Sequence, residues 1–233
     1  MPDLNPHNLK HKNFLAILLI ASAVLLLYSV SLGHNFLFDE DSIILFNRYI
    51  QHFKLFPEIF THGYFAMEEK SDVVWNVYYR PLTSLSFAWD YHWWKLNPLG
   101  YNITNTLLHI LVSALLFLLI QKAIKHDVAA FMATLLYSVH TLHTEAVTYI
   151  ASRGDVLAAV FMLLAMHAYW RDKLKTALLC YGLALFSKES SLLLPLYLIA
   201  LDLSVIRSSW LSLAKKMAPY IVLAIIFSVF RKN

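Results

Sequence analysis

The strongest constraint on this chain is a series of apolar runs too long and too closely spaced for the core of a soluble domain. They occupy residues 13–32, 103–121, 128–151, 156–170, 174–187, 190–206 and 217–230, separated after residue 102 by short polar breaks. About 20 apolar residues cross a hydrocarbon core as a helix, and in lipid the backbone must satisfy its own polar groups as helix or closed barrel. The pattern predicts an all-α polytopic membrane helix bundle with about seven spans. Composition agrees: 59% of the 233 residues are hydrophobic and 15% charged, and the mean hydropathy is positive, which excludes an ordinary soluble domain. Five Gly and seven Pro leave no linker or low-complexity segment, and no internal repeat is visible.

The charges set the expected topology. The net charge is +4, but the basic residues sit in small clusters at the ends of apolar runs and form no stripe, which speaks for topology control and against nucleic-acid binding. Lys10 and Lys12 precede the first run, which reads as an uncleaved anchor with a cytoplasmic amino end. Threading from there places Lys122/Lys125, Arg171/Lys173/Lys175 and Arg207/Lys215/Lys216 on the cytoplasmic side. The terminal Arg231-Lys232-Asn233 falls outside, against that rule, so the chain reads as an incomplete membrane domain over 1–233. Cys180 lies alone in an apolar run and forms no intrachain disulfide.

Residues 33–102 form the expected first extracytoplasmic loop, rich in aromatics (Tyr64, Phe65, Trp75, Trp89, Trp93). Leu82, Leu85, Trp89 and Trp93 recur at helical spacing after Arg80-Pro81, and Ile50, Phe53, Phe56, Ile59 and Phe60 form a second amphipathic piece. Both are expected to lie as helices in the membrane interface. Several later runs hold about 14 to 17 residues, roughly 21 to 25 Å of helix. Their connections, His140–Asp155 and Ser187–Ser190, are therefore expected at or below the outer interface, where polar groups need a protein-walled cavity.

The outer ends carry an unusual polar set: Asp39-Glu40-Asp41, Arg80, Asn105, His109, His140, His143, Glu145, Arg153 with Asp155, and Lys188-Glu189. Three adjacent acids at a membrane mouth are incompletely solvated, which favours a raised pKa, unless they simply begin a solvated loop. His140 and His143 at i, i+3 begin a metal-ligand pattern but lack a third nitrogen or sulfur. Arg80, Arg153 and Lys188 are each explained singly by snorkelling, and together by an anion. Lys188-Glu189 also reads as a local pair closing a turn, and Asp155 as a cap on the span that follows it. Asn102-Ile103-Thr104 matches a glycosylation sequon but abuts a span.

In order along the chain, Phe38-Asp39-Glu40, Tyr79-Arg80-Pro81-Leu82-Thr83, Tyr101-Asn102-Ile103-Thr104-Asn105 with His109, Val139-His140-Thr141-Leu142-His143-Thr144-Glu145-Ala146-Val147, Arg153-Gly154-Asp155 and Ser187-Lys188-Glu189 closely resemble the membrane part of the TMTC-type proteins. Those are multi-span glycosyltransferases of the GT-C superfamily, related to protein O-mannosyltransferases and usually followed by TPR repeats. The likeness covers about residues 30 to 205. It implies transfer of a sugar, mannose or a similar hexose, from a polyprenyl-phosphate donor to a protein or glycan acceptor hydroxyl on the extracytoplasmic side. By the same resemblance the acidic pair maps onto Asp39 and Glu40, with Asp39 as catalytic carboxylate. Two departures stand out: Asn102 replaces a common His, and the remaining spans and repeats do not follow.

The chemistry suits the residues independently of the resemblance. An acid at the membrane surface can take the proton of an attacking hydroxyl while cations receive the charge on the leaving phosphate. Asp39 is the expected base with Asp41 as the substitute, and Arg80, His140, His143 and Lys188 lead the candidates for phosphate or sugar. No obligatory metal or other cofactor is expected. Against a transporter, the charges gather at one surface and the two halves do not match. The remaining alternative is a non-catalytic membrane fragment or scaffold.

Overall fold

The computed structural model describes residues 6–61, 63–64 and 78–231, with the side chains of residues 6–10 and Phe53 excepted. Phe65, Trp75 and Lys232-Asn233 therefore lie outside the described residues. The described residues form helices and turns without a strand. Five helices are long and apolar enough to cross a membrane: His11–Gly33, Pro98–Ile124, Ile150–Trp170, Glu189–Ile206 and Trp210–Phe230. Two shorter apolar helices, Asp127–Ser138 and Leu174–Ser187, accompany them. The chain is a multi-pass integral membrane protein.

Helix α1 (Pro6–Tyr28) tightens into a 3₁₀ turn at Ser29–Gly33. A π-helical turn at Asp41–Leu45 follows, then the short α2 (Arg48–Gln51), whose amino end is capped by Asn47 accepting from the Tyr49 amide at 3.0 Å. The expected amphipathic helix from Ile50 to Phe60 is two pieces. Backbone extended at His52 separates α2 from a 3₁₀ segment, Phe53–Phe60, which contains Pro57. Helix α3 (Pro81–Trp94) starts at Pro81, whose missing N–H costs nothing at a helix start. Its Leu82–Trp93 stripe turns outward: Trp89 and Trp93 are exposed, whereas Thr83, Ser84, Phe87, Ala88 and Asp90 are buried. The face turned toward the bundle thus carries the helix's only acid.

Helix α4 (Pro98–Ile124) is capped by Asn97, which accepts from the Leu99 amide at 3.1 Å. The α3–α4 turn is tight because Trp94 lies on Gly100, where a Cβ would stand 2.0 Å from the indole ring. Helix α5 (Asp127–Ser138) is capped by His126 and ends early. The expected span 128–151 is therefore corrected: after Ser138 the chain takes a 3₁₀ turn (Thr141–His143), the short α6 (Thr144–Thr148) and a second 3₁₀ turn (Ile150–Ser152). The physical reason is local. His140 adopts extended backbone and its Nδ1 accepts the Leu142 amide, which gives the chain a polar alternative to helix.

Helix α7 (Arg153–Trp170) is the centre of the bundle, packing on α4 and on α8 (Leu174–Ser187). The last spans are a helical rod with α9 (Leu194–Leu201) at its middle and α10 (Trp210–Phe230). Small residues, Ala165, Ala168, Ala177 and Ala184, let α7 and α8 approach closely, while Leu198, Met217, Tyr220 and Phe227 fill the space beyond. Leucines and isoleucines of α1 and α10 stay exposed, as expected of lipid-facing surface. Helix α10 starts at Trp210, earlier than the apolar run, so Lys215 and Lys216 belong to its first turns.

Candidate active site

The sequence blocks that stand apart along the chain meet at one end of the bundle. Thr83 Oγ1 donates to the Ser187 carbonyl at 2.8 Å, tying the start of α3 to the end of α8. Gly154 at the start of α7 fits between them: a Cβ there would stand 3.1 Å from the Ser187 carbonyl oxygen and 3.4 Å from Thr83 Oγ1, so a side chain would need its neighbours to give by a few tenths of an ångström. Three blocks, Tyr79–Thr83, Arg153–Asp155 and Ser187–Glu189, thus share one packed junction.

Across that junction the charges pair between helices. Arg80 grips Glu189 through Nε at 3.0 Å and Nη2 at 2.6 Å, a bidentate fork, and its guanidinium lies 5.2 Å from the Tyr64 ring and 4.8 Å from the Tyr78 ring. Lys188 Nζ lies 2.5 Å from Asp155 Oδ2. The local Lys188–Glu189 pair read from sequence is corrected, because adjacent side chains on an extended residue and a 3₁₀ start point to different neighbours. Asp155 is likewise engaged by Lys188 beyond any capping role.

Arg153 is fully buried, so snorkelling does not describe it. Its Nε donates to Asn105 Oδ1 at 2.7 Å and its Nη2 to the Tyr101 carbonyl at 3.0 Å, its Nη1 reaches the Ser86 carbonyl at 3.3 Å, and Nη2 ion-pairs with Asp90 Oδ2 at 2.6 Å. The Phe87 ring stacks at 4.4 Å. Asp90 also accepts from Thr104 Oγ1 at 2.9 Å. Arg153 and Asn105 are held inside the protein, away from any open surface. Asn102 is also buried, and neither amide atom has a partner among the described residues.

The three adjacent acids separate. Asp39 and Asp41 are exposed, whereas Glu40 is 1% exposed. Glu40 Oε1 accepts from the Ile150 amide at 2.6 Å and the Ala151 amide at 3.3 Å, and Oε2 from the Leu37 amide at 2.9 Å. Burial pushes its carboxyl up, while the three amides pull it back only in part. Glu40 therefore clamps the acid turn onto the segment leading into α7, and the carboxyl with a raised pKa is this clamp. Phe38, in left-handed backbone at φ 50°, makes the turn that leads into the acids.

Asp39 lies against Tyr149, whose hydroxyl is within hydrogen-bond reach of the Asp39 backbone and is pushed up by burial and by the nearby Asp39, Glu40 and Glu145 carboxylates. Tyr64 joins this region to the cation pairs: its hydroxyl donates to the Ala151 carbonyl at 2.9 Å, and its ring faces Arg80. His109, Tyr137 and His143 form an aromatic group beside it, with ring centroids 4.2 Å apart for Tyr137–His143 and 5.5 Å for His109–His143. His109 Nε2 contacts the Ser138 carbonyl at 3.0 Å. Burial and the neighbouring His140 hold His143 below the usual imidazole range. His140 and Glu145 are exposed, and among the described residues no three His, Cys, Asp or Glu side chains gather as a metal would need.

An apolar groove of about 420 Å³ leads from this cluster along the bundle, lined by Val112 and Leu116 of α4, Ala159 and Met162 of α7, and Leu193 and Tyr197 of the 189–206 rod. Asp155, Ser190 and Tyr137 also line it. Asp90, Tyr64, Tyr149 and Tyr137 were not among the residues singled out from sequence as site candidates. Of these, Asp90 alone had a visible signal, as the single acid of an aromatic helix.

No family model and no solved structure matches the chain. Among curated proteins it is 35% identical over 164 residues to protein O-mannosyl-transferase TMTC3 of Mus musculus, covering 69% of this chain and 17% of that protein. It is 35% identical over 159 residues to protein O-mannosyl-transferase TMTC1 of Mus musculus, covering 67% and 17%. A Caenorhabditis elegans protein O-mannosyl-transferase is 29% identical over 198 residues, covering 82% of this chain and 28% of that protein. The chain thus spans about a sixth of the length of the first two relatives. An all-helical membrane bundle that brings these sequence blocks together, and identity spread over some seven-tenths of its residues, place this chain in the TMTC family.

Proposed function

We propose that the chain acts in glycosyl transfer at the membrane surface, moving mannose or a similar hexose from a polyprenyl-phosphate donor to an acceptor hydroxyl on the extracytoplasmic side. The relatives' printed names supply the reaction class. The observation that carries the donor is the groove: a lipid-accessible apolar channel of about 420 Å³ with Asp155 in its wall and Lys188 bound to Asp155. In this reading the groove takes the first units of an isoprenoid chain and the cation beside it takes the phosphate.

Burial ranks the cations. Arg153 is 0% exposed and Arg80 12% with a bidentate partner, whereas the Lys188 side chain is 24% exposed and holds a carboxylate that is itself 39% exposed. Lys188 is the cation free to exchange Asp155 for a phosphate. Asp39, exposed on the same end of the bundle, takes the acceptor proton as the hydroxyl attacks, and His143, whose imidazole burial and the neighbouring His140 push below its usual range, is the side chain assigned to the sugar. The basic clusters at the opposite end favour a cytoplasmic side there and an extracytoplasmic reacting face.

The groove is tested by filling it. Ala159→Phe is expected to weaken binding of a long-chain polyprenyl phosphate to the purified chain by about tenfold, a typical effect for a blocked apolar contact of 1–2 CH₂ groups. A short-chain analogue should lose little. Equal binding of the long-chain ligand by the variant would remove the groove from the donor site.

A further inference from the structure

The opposite end of the bundle holds a second cavity, of about 460 Å³, that sugar transfer does not use. Its walls carry one acid, Asp172, beside Lys215 and Lys216, together with Ser209, Ser212 and Tyr220. One buried carboxylate ties Tyr169 to the turn before α10. Asp202, 0% exposed, accepts from the Tyr169 hydroxyl at 2.5 Å, the Ser208 amide at 2.9 Å and the Ser208 hydroxyl at 3.1 Å. Arg207 takes the left-handed backbone, φ 60°, that turns the chain there. The clamp pins the 207–209 connection onto the end of α7, and α10 then starts at the cavity wall.

The first turns of α10 present Ser209, Ser212, Lys215 and Lys216 to one cavity, at spacings that share a helix face. Ser209 does not cap the helix, so the first amides of this 21-residue helix keep their donors. Lys216 is partly engaged, by Asp172 at 3.2 Å and Ser208 Oγ at 3.4 Å, while Lys215 is exposed and ion-pairs with none of the described residues. An independent observation points to a ligand: Tyr220, a wall residue that is 0% exposed, has a hydroxyl with no partner among the described residues. Leaving such a group unpaired is unfavourable. Trp210 and Leu211, 76% and 69% exposed, flank the same turn with apolar surface of the kind that suits a membrane interface.

We propose that this cavity binds the headgroup of an anionic phospholipid from the leaflet on that side. Lys215 and the α10 amides meet the phosphate, Ser212 and Tyr220 offer hydroxyls to its oxygens, and Leu211 lies along the first acyl carbons. The apolar flank favours a lipid over a free anion, and basic pockets between spans are suited to such headgroups.

The purified full chain, in detergent, is titrated with phosphatidylglycerol and with phosphatidylcholine, and bound lipids are counted by native mass spectrometry. One phosphatidylglycerol is expected to bind at least about fivefold more tightly than phosphatidylcholine, and Lys215→Ala to weaken it by about fivefold, the worth of one surface cation. Ser212→Ala provides a second variant, and an unchanged Tm shows that both are folded. Equal retention of the two lipids, or no effect of either variant, overturns the proposal. Displacement by excess inorganic phosphate alone overturns the lipid assignment in favour of a free anion.

Discussion

Replacing Arg153 with Met is expected to leave little folded protein in the membrane. Its guanidinium is enclosed by Asp90, Asn105, the Tyr101 and Ser86 carbonyls and the Phe87 ring, which lie on α3 and α4, while Arg153 itself begins α7. Removing one partner of a buried ion pair leaves the other charge uncompensated, at about 3–5 kcal/mol. That is a large part of the roughly 5–15 kcal/mol that holds a domain folded. Among the described residues Asp90 would keep the Thr104 hydroxyl at 2.9 Å. Thermal unfolding of the purified chain should shift down by on the order of 10 °C, if it folds at all. The paired variant Arg153→Met with Asp90→Leu should recover part of that loss, because it removes both charges together. A single variant melting with the wild type would refute the claim that this pair joins the three helices.

Asp39→Asn is expected to cut sugar transfer by about 10²- to 10⁴-fold, the usual contribution of a general base. Because Asp39 is exposed, Tm should not move. Glu40→Ala should behave in the opposite way, lowering Tm and activity together. It strands the Ile150, Ala151 and Leu37 amides, and unmet buried donors cost about 1–3 kcal/mol each. The assay is transfer from mannosyl polyprenyl phosphate to a hydroxyl-bearing peptide in membranes, with Asp41→Asn run alongside. Wild-type transfer by Asp39→Asn with loss in Asp41→Asn would move the base to Asp41. The contrast between neighbouring acids separates a chemical role from a structural one.

Much of the bundle was legible in the sequence because hydrophobic length is a one-dimensional property. The runs beginning near residues 13, 103, 156, 174 and 190 each became apolar helix. The misreadings fall where polar side chains compete with helix. His140 ended the run expected to continue to 151, and extended backbone at His52 divided the helix expected over 50–60. The outward stripe of α3 was visible as periodicity, but Asp90 on its inner face was not, since nothing local says that Arg153, 63 positions later, turns toward it.

The candidate site divides in the same way. Sequence alone determined that this chain lives in a membrane and which blocks resemble the TMTC family. Those properties depend on composition, periodicity and motif, which need no partner to be read. Only the tertiary structure decided which charge meets which: Arg80 with Glu189, Lys188 with Asp155, Arg153 with Asp90, and Glu40 with three backbone amides while Asp39 stays open. Pairing in a low-dielectric bundle is fixed by which helix ends pack together, and close packing such as that at Gly154 is a property of three elements at once.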